Sequence, residues 1–165
     1  MEIDTTFNTN NLKLPLTILT AISNTGDSFP MAFSYLPSKS KVRFDFIFES
    51  LKELAWEEYP PPFVVIGDQA KGLAALLPDS MPDSVSQYCE WHAFENIKKL
   101  LIDRGYSKEK QKIAKPLIWA YLKATTSSSL NTARATLMTA LRPAEACYIK
   151  KNWVSKEKSV CRNLF

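Results

Sequence analysis

The stretch Phe63 to His92, FVVIGDQAKGLAALLPDSMPDSVSQYCEWH, decides how this chain is read. It opens on an apolar, β-prone run, Phe63–Val64–Val65–Ile66, short enough to be a buried strand. Gly67–Asp68 stops the run and leaves a carboxylate at the strand's carboxyl end, the edge of an open α/β sheet where ligands collect. A helical pattern from Ala70 to Leu77 follows, closed by Pro78. A second strand-like run, Val85 to Tyr88, then delivers Cys89 and His92 as C-x2-H. The unit reads as strand, acidic tip, helix, strand and Cys/His tip, which predicts an α/β fold.

Toward the N terminus the pattern is β. Ile3, Thr5 and Phe7 alternate in Met1 to Phe7, so Asp4 falls on the face opposite Ile3 and Thr5. A turn cluster, Asn8 to Asn11, precedes a β-branched run from Leu14 to Ile22. A turn at Asn24 to Asp27 leads to a third strand, Phe29 to Leu36, with Pro30 near its start, where a missing N–H does least harm. Val42 to Trp56 changes to a helical period, with Val42, Phe46, Leu51, Leu54 and Ala55 on one face and Phe48 near it. Lys52, Glu53, Glu57 and Glu58 suit the other face, and Pro60–Pro61–Pro62 ends the helix. The predicted order is therefore β-β-β-α-β-α-β.

Beyond His92 the chain reads as helical. Ala93 to Arg104 carries an apolar stripe, with Gly105 placed as a C′ residue. Ser107 with Lys110–Gln111 starts another helix that Pro116 should kink or delay. The run Thr125 to Ser129 reads as a cap or loop, and Asn131 to Leu141 and Ala144 to Val154 as two further helices.

Composition bounds the function. With 45% apolar and 23% charged residues, the 165-residue chain suits a compact domain and not a disordered one. The net charge of +4 hides a split. Residues 1–92 hold 6 Lys/Arg against 12 Asp/Glu, and residues 93–165 hold 15 against 5. A metal-dependent nucleic-acid enzyme could use both halves, carboxylates for the ion and cations for phosphate. A solvated basic surface with no partner explains the charge equally well. Cys89, Cys147 and Cys161 form no disulfide framework, which suggests a reducing compartment. No signal peptide is visible and no apolar run nears the ~20 residues that span a membrane, so a soluble, intracellular protein is expected.

The blocks IDTTFNTNNLKLPL, VVIGDQAKGLAAL and CEWHAFENIKKLL, in this order and spacing, resemble the transposase domain of Mutator-like elements (MULE). The resemblance covers roughly residues 2–102, and LIWAYLKATT and YIKKNW extend it more weakly into the helical region. It implies a ribonuclease H-like core at 1–104 with a helical region at 105–165, in the DDE superfamily. In such enzymes three carboxylates hold two divalent ions, Mg²⁺ or Mn²⁺, for cleavage and strand transfer at DNA phosphodiesters. By match to the motif, Asp4 is the first carboxylate and Asp68 the second. The residue pattern agrees, since like charges at neighbouring strand tips need a cation between them. DNA is the implied partner, the nucleus the implied location, and a homo-oligomer is open.

The third carboxylate has no clear source. The family position falls in Ser127 to Asn131, which holds no Asp or Glu. Glu145 is the nearest downstream substitute, in a context (PAEACYIKKNW) that does not match, and Glu95 and Glu109 stand too close to the last strand. The chain is also short for the family. A truncated copy whose activity hangs on the third ligand is expected from this, or a domesticated descendant that binds DNA or protein without catalysis.

Each residue has a plainer reading. Asp4 could be a strand-end turn former and Asp68 a helix N-cap. Cys89 and His92 form half of a zinc site, but His92 is the sole histidine and neither other cysteine has partner spacing. A buried Cys89, and a His92 either near the active centre or capping its helix, are the remaining readings. The loose lysine run from Lys98 to Lys115 could follow a DNA backbone or simply be a solvated helix face.

Overall fold

A computed structural model describes residues 1–57, 60–68 and 71–156; Glu58, Gln69, Ala70 and Cys161 lie outside the described residues. The chain forms two compact units, Met1–Gln87 and Tyr88–Phe165.

The first unit is α/β. Its elements are β1 (Glu2–Thr6), β2 (Leu16–Ile22), β3 (Ser28–Tyr35), α1 (Lys41–Ala55), β4 (Val64–Gly67), α2 (Lys71–Ser80) and β5 (Val85–Tyr88). The strands form one mixed sheet in the order β3-β2-β1-β4-β5. β1 runs antiparallel to β2, and β2 to β3, while β1 and β4 are parallel. A nine-residue connection joins β1 to β2 and a five-residue turn joins β2 to β3, whereas the parallel pair is reached through α1, as a crossover connection requires. β3 is an edge strand, so the N–H that Pro30 lacks is not missed by a central ladder. One face of the sheet supplies Ile3, Leu19 and Val65 to a core completed by α1 and α2, with Phe44, Phe48, Leu73 and Leu76 among its members.

Two helices of this unit depart from the predicted pattern. α1 buries Phe44, Ile47, Phe48 and Leu51, while Val42, Phe46 and Leu54 stand exposed. The run VRFDFIF is apolar on more than one side, and the set spaced i, i+3, i+4, i+7 is the one the sheet and α2 cover. α2 also continues through Pro78 to Ser80 instead of closing there. Pro78 lies in the last turn, where it forfeits one backbone bond, and the buried side chains of Leu76, Leu77 and Met81 hold the chain on either side of it.

The second unit is helical where it is described: α3 (Glu90–Asp103), α4 (Lys108–Leu122), α5 (Ser127–Ala140), α6 (Pro143–Asn152) and a 3₁₀ turn over Val154–Lys156. α3 starts three residues before Ala93, with Cys89 at its N-cap. It ends in a left-handed Gly105 (φ 75°), where Gly105 N–H donates to Ile102 O and Tyr106 N–H to Leu101 O. That bond pair is a Schellman motif, and it turns Tyr106 into the core. α4 passes through Pro116 unbroken, because Ala114, Ile118, Tyr121 and Leu122 pack on one side. α5 begins at Ser127, earlier than Asn131, because Thr126 and Ser129 form a reciprocal capping box. No helix among the described residues is long and apolar enough to cross a membrane.

Candidate active site

The register of the two parallel strands sets the geometry. Ile3 is paired with Gly67, so the residues that follow them, Asp4 and Asp68, occupy adjacent positions at the carboxyl end of β4. Ile3 points into the core, so Asp4 belongs to the opposite face of the sheet; across β2 it is paired with Ile18. Asp4 is half-buried, and its Oδ1 accepts the backbone N–H of Thr5 at 2.8 Å, which orients the carboxylate. The neighbouring Thr5 and Thr17 hydroxyls are 3.2 Å apart.

Asp68 is bound by a cation from the chain itself. Lys39, in the turn before α1, donates its Nζ to Asp68 Oδ2 at 2.8 Å, and both side chains are about three-quarters buried, 24% and 26% exposed. The ammonium also lies 5.1 Å from the centroid of the Phe7 ring, within cation–π range. Carboxylate and ring together fix its position. Sequence reading did not single out Lys39: it sits in a Pro-Ser-Lys-Ser turn without a motif, 29 residues from its partner.

The carboxylates weighed as a third ligand have other partners. Glu145 is buried (3% exposed), and the Arg142 guanidinium bonds to both its oxygens, Nε at 3.1 Å and Nη2 at 3.0 Å. Tyr106 Oη donates to the same carboxylate at 3.3 Å, and the Arg142 ring contact with Tyr106 closes the cluster at 4.5 Å. Burial pushes the Glu145 carboxyl up, but Arg142, a backbone bond and Tyr106 together outweigh it and hold it below the usual carboxylate range. Glu145 is thus a structural anion that ties α6 to the end of α3. Glu95 is bonded through both oxygens to Lys98, at 2.7 and 2.6 Å. Glu109 lies in the first turn of α4, held below its ordinary value by its backbone bond and by Ser107. No group of three His, Cys, Asp or Glu among the described residues could hold a metal ion.

Cys89 and His92 belong to the second unit, at the N-cap and in the first turn of α3. Cys89 is buried, whereas His92 is half-buried with its ring edge-on to exposed Trp91, centroids 5.1 Å apart.

A model of the MULE transposase domain matches residues 1–96. The chain belongs to the MULE transposase domain family. The matched span contains the whole sheet, α1, α2, Asp4, Asp68, Cys89 and His92. This MULE domain is also 28% identical over 98 residues to a protein named PKS-NRPS hybrid synthetase cheA from Chaetomium globosum. That match takes in 59% of this chain but spans only 2% of the synthetase, so the synthetase's name carries no argument about chemistry here.

Proposed function

We propose that this is the catalytic domain of a MULE-type transposase, which cuts and joins DNA phosphodiesters with divalent ions held at Asp4 and Asp68. The observation that supports the reading is the register of β1 and β4, in which Ile3 pairs with Gly67 and Asp4 and Asp68 are the next residues on neighbouring strands. The mixed sheet in the order β3-β2-β1-β4-β5, built by β-β-β-α-β-α-β connectivity, supports a ribonuclease H-like core over residues 1–104, with a helical region over 105–165.

The donor set suits a hard cation. Two carboxylates on neighbouring backbones repel unless a positive charge lies between or beside them, and Asp68 already draws an ammonium to hydrogen-bonding distance. Oxygen ligands favour Mg²⁺ or Mn²⁺, with water and phosphate oxygens completing the shell. The chemistry supplied by such an ion is activation of a water or 3′-hydroxyl and stabilisation of the leaving oxygen. The chain's own contribution is positioning. β1 and β4 carry Asp4 and Asp68 on neighbouring backbones, and the Thr5 N–H orients Asp4. The excess of cations beyond residue 92 supplies attraction for the phosphate backbone of DNA in the nucleus.

A second reading has its own support. Lys39 on Asp68, with Glu145 committed to Arg142, favours a domesticated descendant that binds DNA or a protein partner without cutting. Cleavage assays separate the two. With Mg²⁺ or Mn²⁺, the wild-type chain should nick labelled DNA, and Asp4→Asn or Asp68→Asn should reduce the rate by at least a hundredfold without loss of helical and sheet signal in circular dichroism. Cleavage that is equal in both variants sinks the catalytic assignment. DNA binding with no cleavage in wild type favours the descendant.

A further inference from the structure

We propose that the first unit carries an interface for a second copy of this chain, formed about a two-fold axis by the outer edge of β3 and the neighbouring flank of α1. The proposal is independent of any chemistry at Asp4 and Asp68.

β3 is the last strand on its side of the sheet, and no described strand covers its outer edge. Its eight residues, SFPMAFSY, carry no charge, although charged side chains are the usual protection of an exposed edge. Pro30 offers no N–H, so pairing is favoured beyond it, over the five residues centred on Phe33. A groove runs beside this segment, walled on the α1 side by Phe46, Ser50 and Leu54. Phe33, Phe46 and Leu54 are 64%, 65% and 82% exposed.

The flank of α1 matches itself in reverse. Arg43, Phe46, Ser50, Leu54 and Glu57 follow at steps of three, four, four and three residues, the steps that keep side chains on one side of a helix. Arg43 and Glu57, at the two ends of this row, are both exposed. A two-fold axis through Ser50 sets a second α1 antiparallel to the first. Arg43 then faces the partner's Glu57, and Phe46 faces the partner's Leu54, at both ends of the row. Ser50, at the crossing, is small enough to let the helices approach. Phe33 and Ser50 line the same groove, so the same axis pairs the segment centred on Phe33 antiparallel with its copy and makes the two sheets continuous. The exposed parts of Phe33, Tyr35, Phe46 and Leu54 alone come to roughly 500 Å² per copy, more than half of the ~800 Å² per partner of a standard interface. Because the patch faces itself, the contact closes at two copies and leaves neither β3 edge open.

The test is sedimentation velocity of the full chain from about 1 to about 100 µM, a range that spans the affinities of modest interfaces. Wild type should reach twice the 18.7 kDa chain mass within it. Arg43→Glu and Glu57→Arg should each weaken the dimer by about tenfold or more, since each sets like charges together at two places. The double variant Arg43→Glu/Glu57→Arg re-forms opposite pairs and should return the dimer to within about threefold of wild type. Phe46→Glu, at an exposed position, should abolish the dimer and leave the circular dichroism spectrum unchanged. A monomer throughout the range overturns the proposal and leaves the groove to a strand of a different protein. A dimer that Phe46→Glu leaves intact overturns it too, because its interface then lies elsewhere. A double variant no tighter than the single ones overturns the two-fold register, and species larger than two copies overturn the closure.

Discussion

At Gly67 an added Cβ would come within 2.6 Å of Leu73 Cδ2, a buried atom of α2. Glycine is therefore the residue that lets α2 pack against the end of β4, and through it the backbone that presents Asp68 is held close to the core. Gly67→Ala should destabilise the chain by roughly 1–3 kcal/mol, the range for overpacking, as read by urea unfolding. A change below about 0.3 kcal/mol would mean that Leu73 rotates away at little cost. At the same scale, the placement of Asp4 in one strand and of Asp68 just past another was legible in the sequence. Each carboxylate sits in or next to a strongly β-patterned run, and for Asp4 that pattern fixes which face it occupies. Lys39 was not legible, because a contact across 29 residues leaves no local periodicity.

Among the elements, α1 shows where patterning runs short. Phe44, Phe46 and Phe48 are equally apolar, and only packing distinguishes them: Phe46 is 65% exposed and Phe48 is fully buried. Phe48→Ala should cost about 3–5 kcal/mol and Phe46→Ala under about 1 kcal/mol, measured by chemical denaturation. Equal losses would place both rings in the core and restore the face first read from the sequence. Caps behaved differently. Gly105 after α3 was readable in advance because a left-handed C′ position calls for a residue without a Cβ. The Thr125 to Ser129 run was readable as a cap or loop but not as the start of α5, since Ser129 is both helical and the reciprocal partner of Thr126. Both internal prolines were tolerated, against their local preference, because neighbouring core residues outweigh one lost backbone bond.

Across the whole molecule, each unit carries its own core, one centred on Leu19, Phe48 and Val65 and the other on Ile97, Ile118 and Leu137. The second unit contains the ionic cluster of Tyr106, Arg142 and Glu145, in which Glu145 is buried and Arg142 half-exposed. Because the Glu145 pKa is lowered in the folded chain, its contribution to stability is complete above the ordinary carboxylate value of 4.5 and is lost as pH falls through the depressed folded value. Wild type should therefore lose Tm more steeply than Glu145→Gln as pH is taken from above 4.5 downward. Parallel Tm profiles would show that the cluster makes no net ionic contribution. At neutral pH the same variant should be less stable, because Arg142 loses its counter-charge.

The sequence by itself determined the α/β class, the order of strands and helices and the membership of the MULE family. Class and order follow from short-range periodicity, and the family from the ordered motif blocks. Tertiary structure decided which face of α1 is buried, that Glu145 is bound by Arg142 and Tyr106, and that Asp68 holds Lys39. Each of these is a choice among several chemically suitable partners, and distance in the folded chain makes the choice.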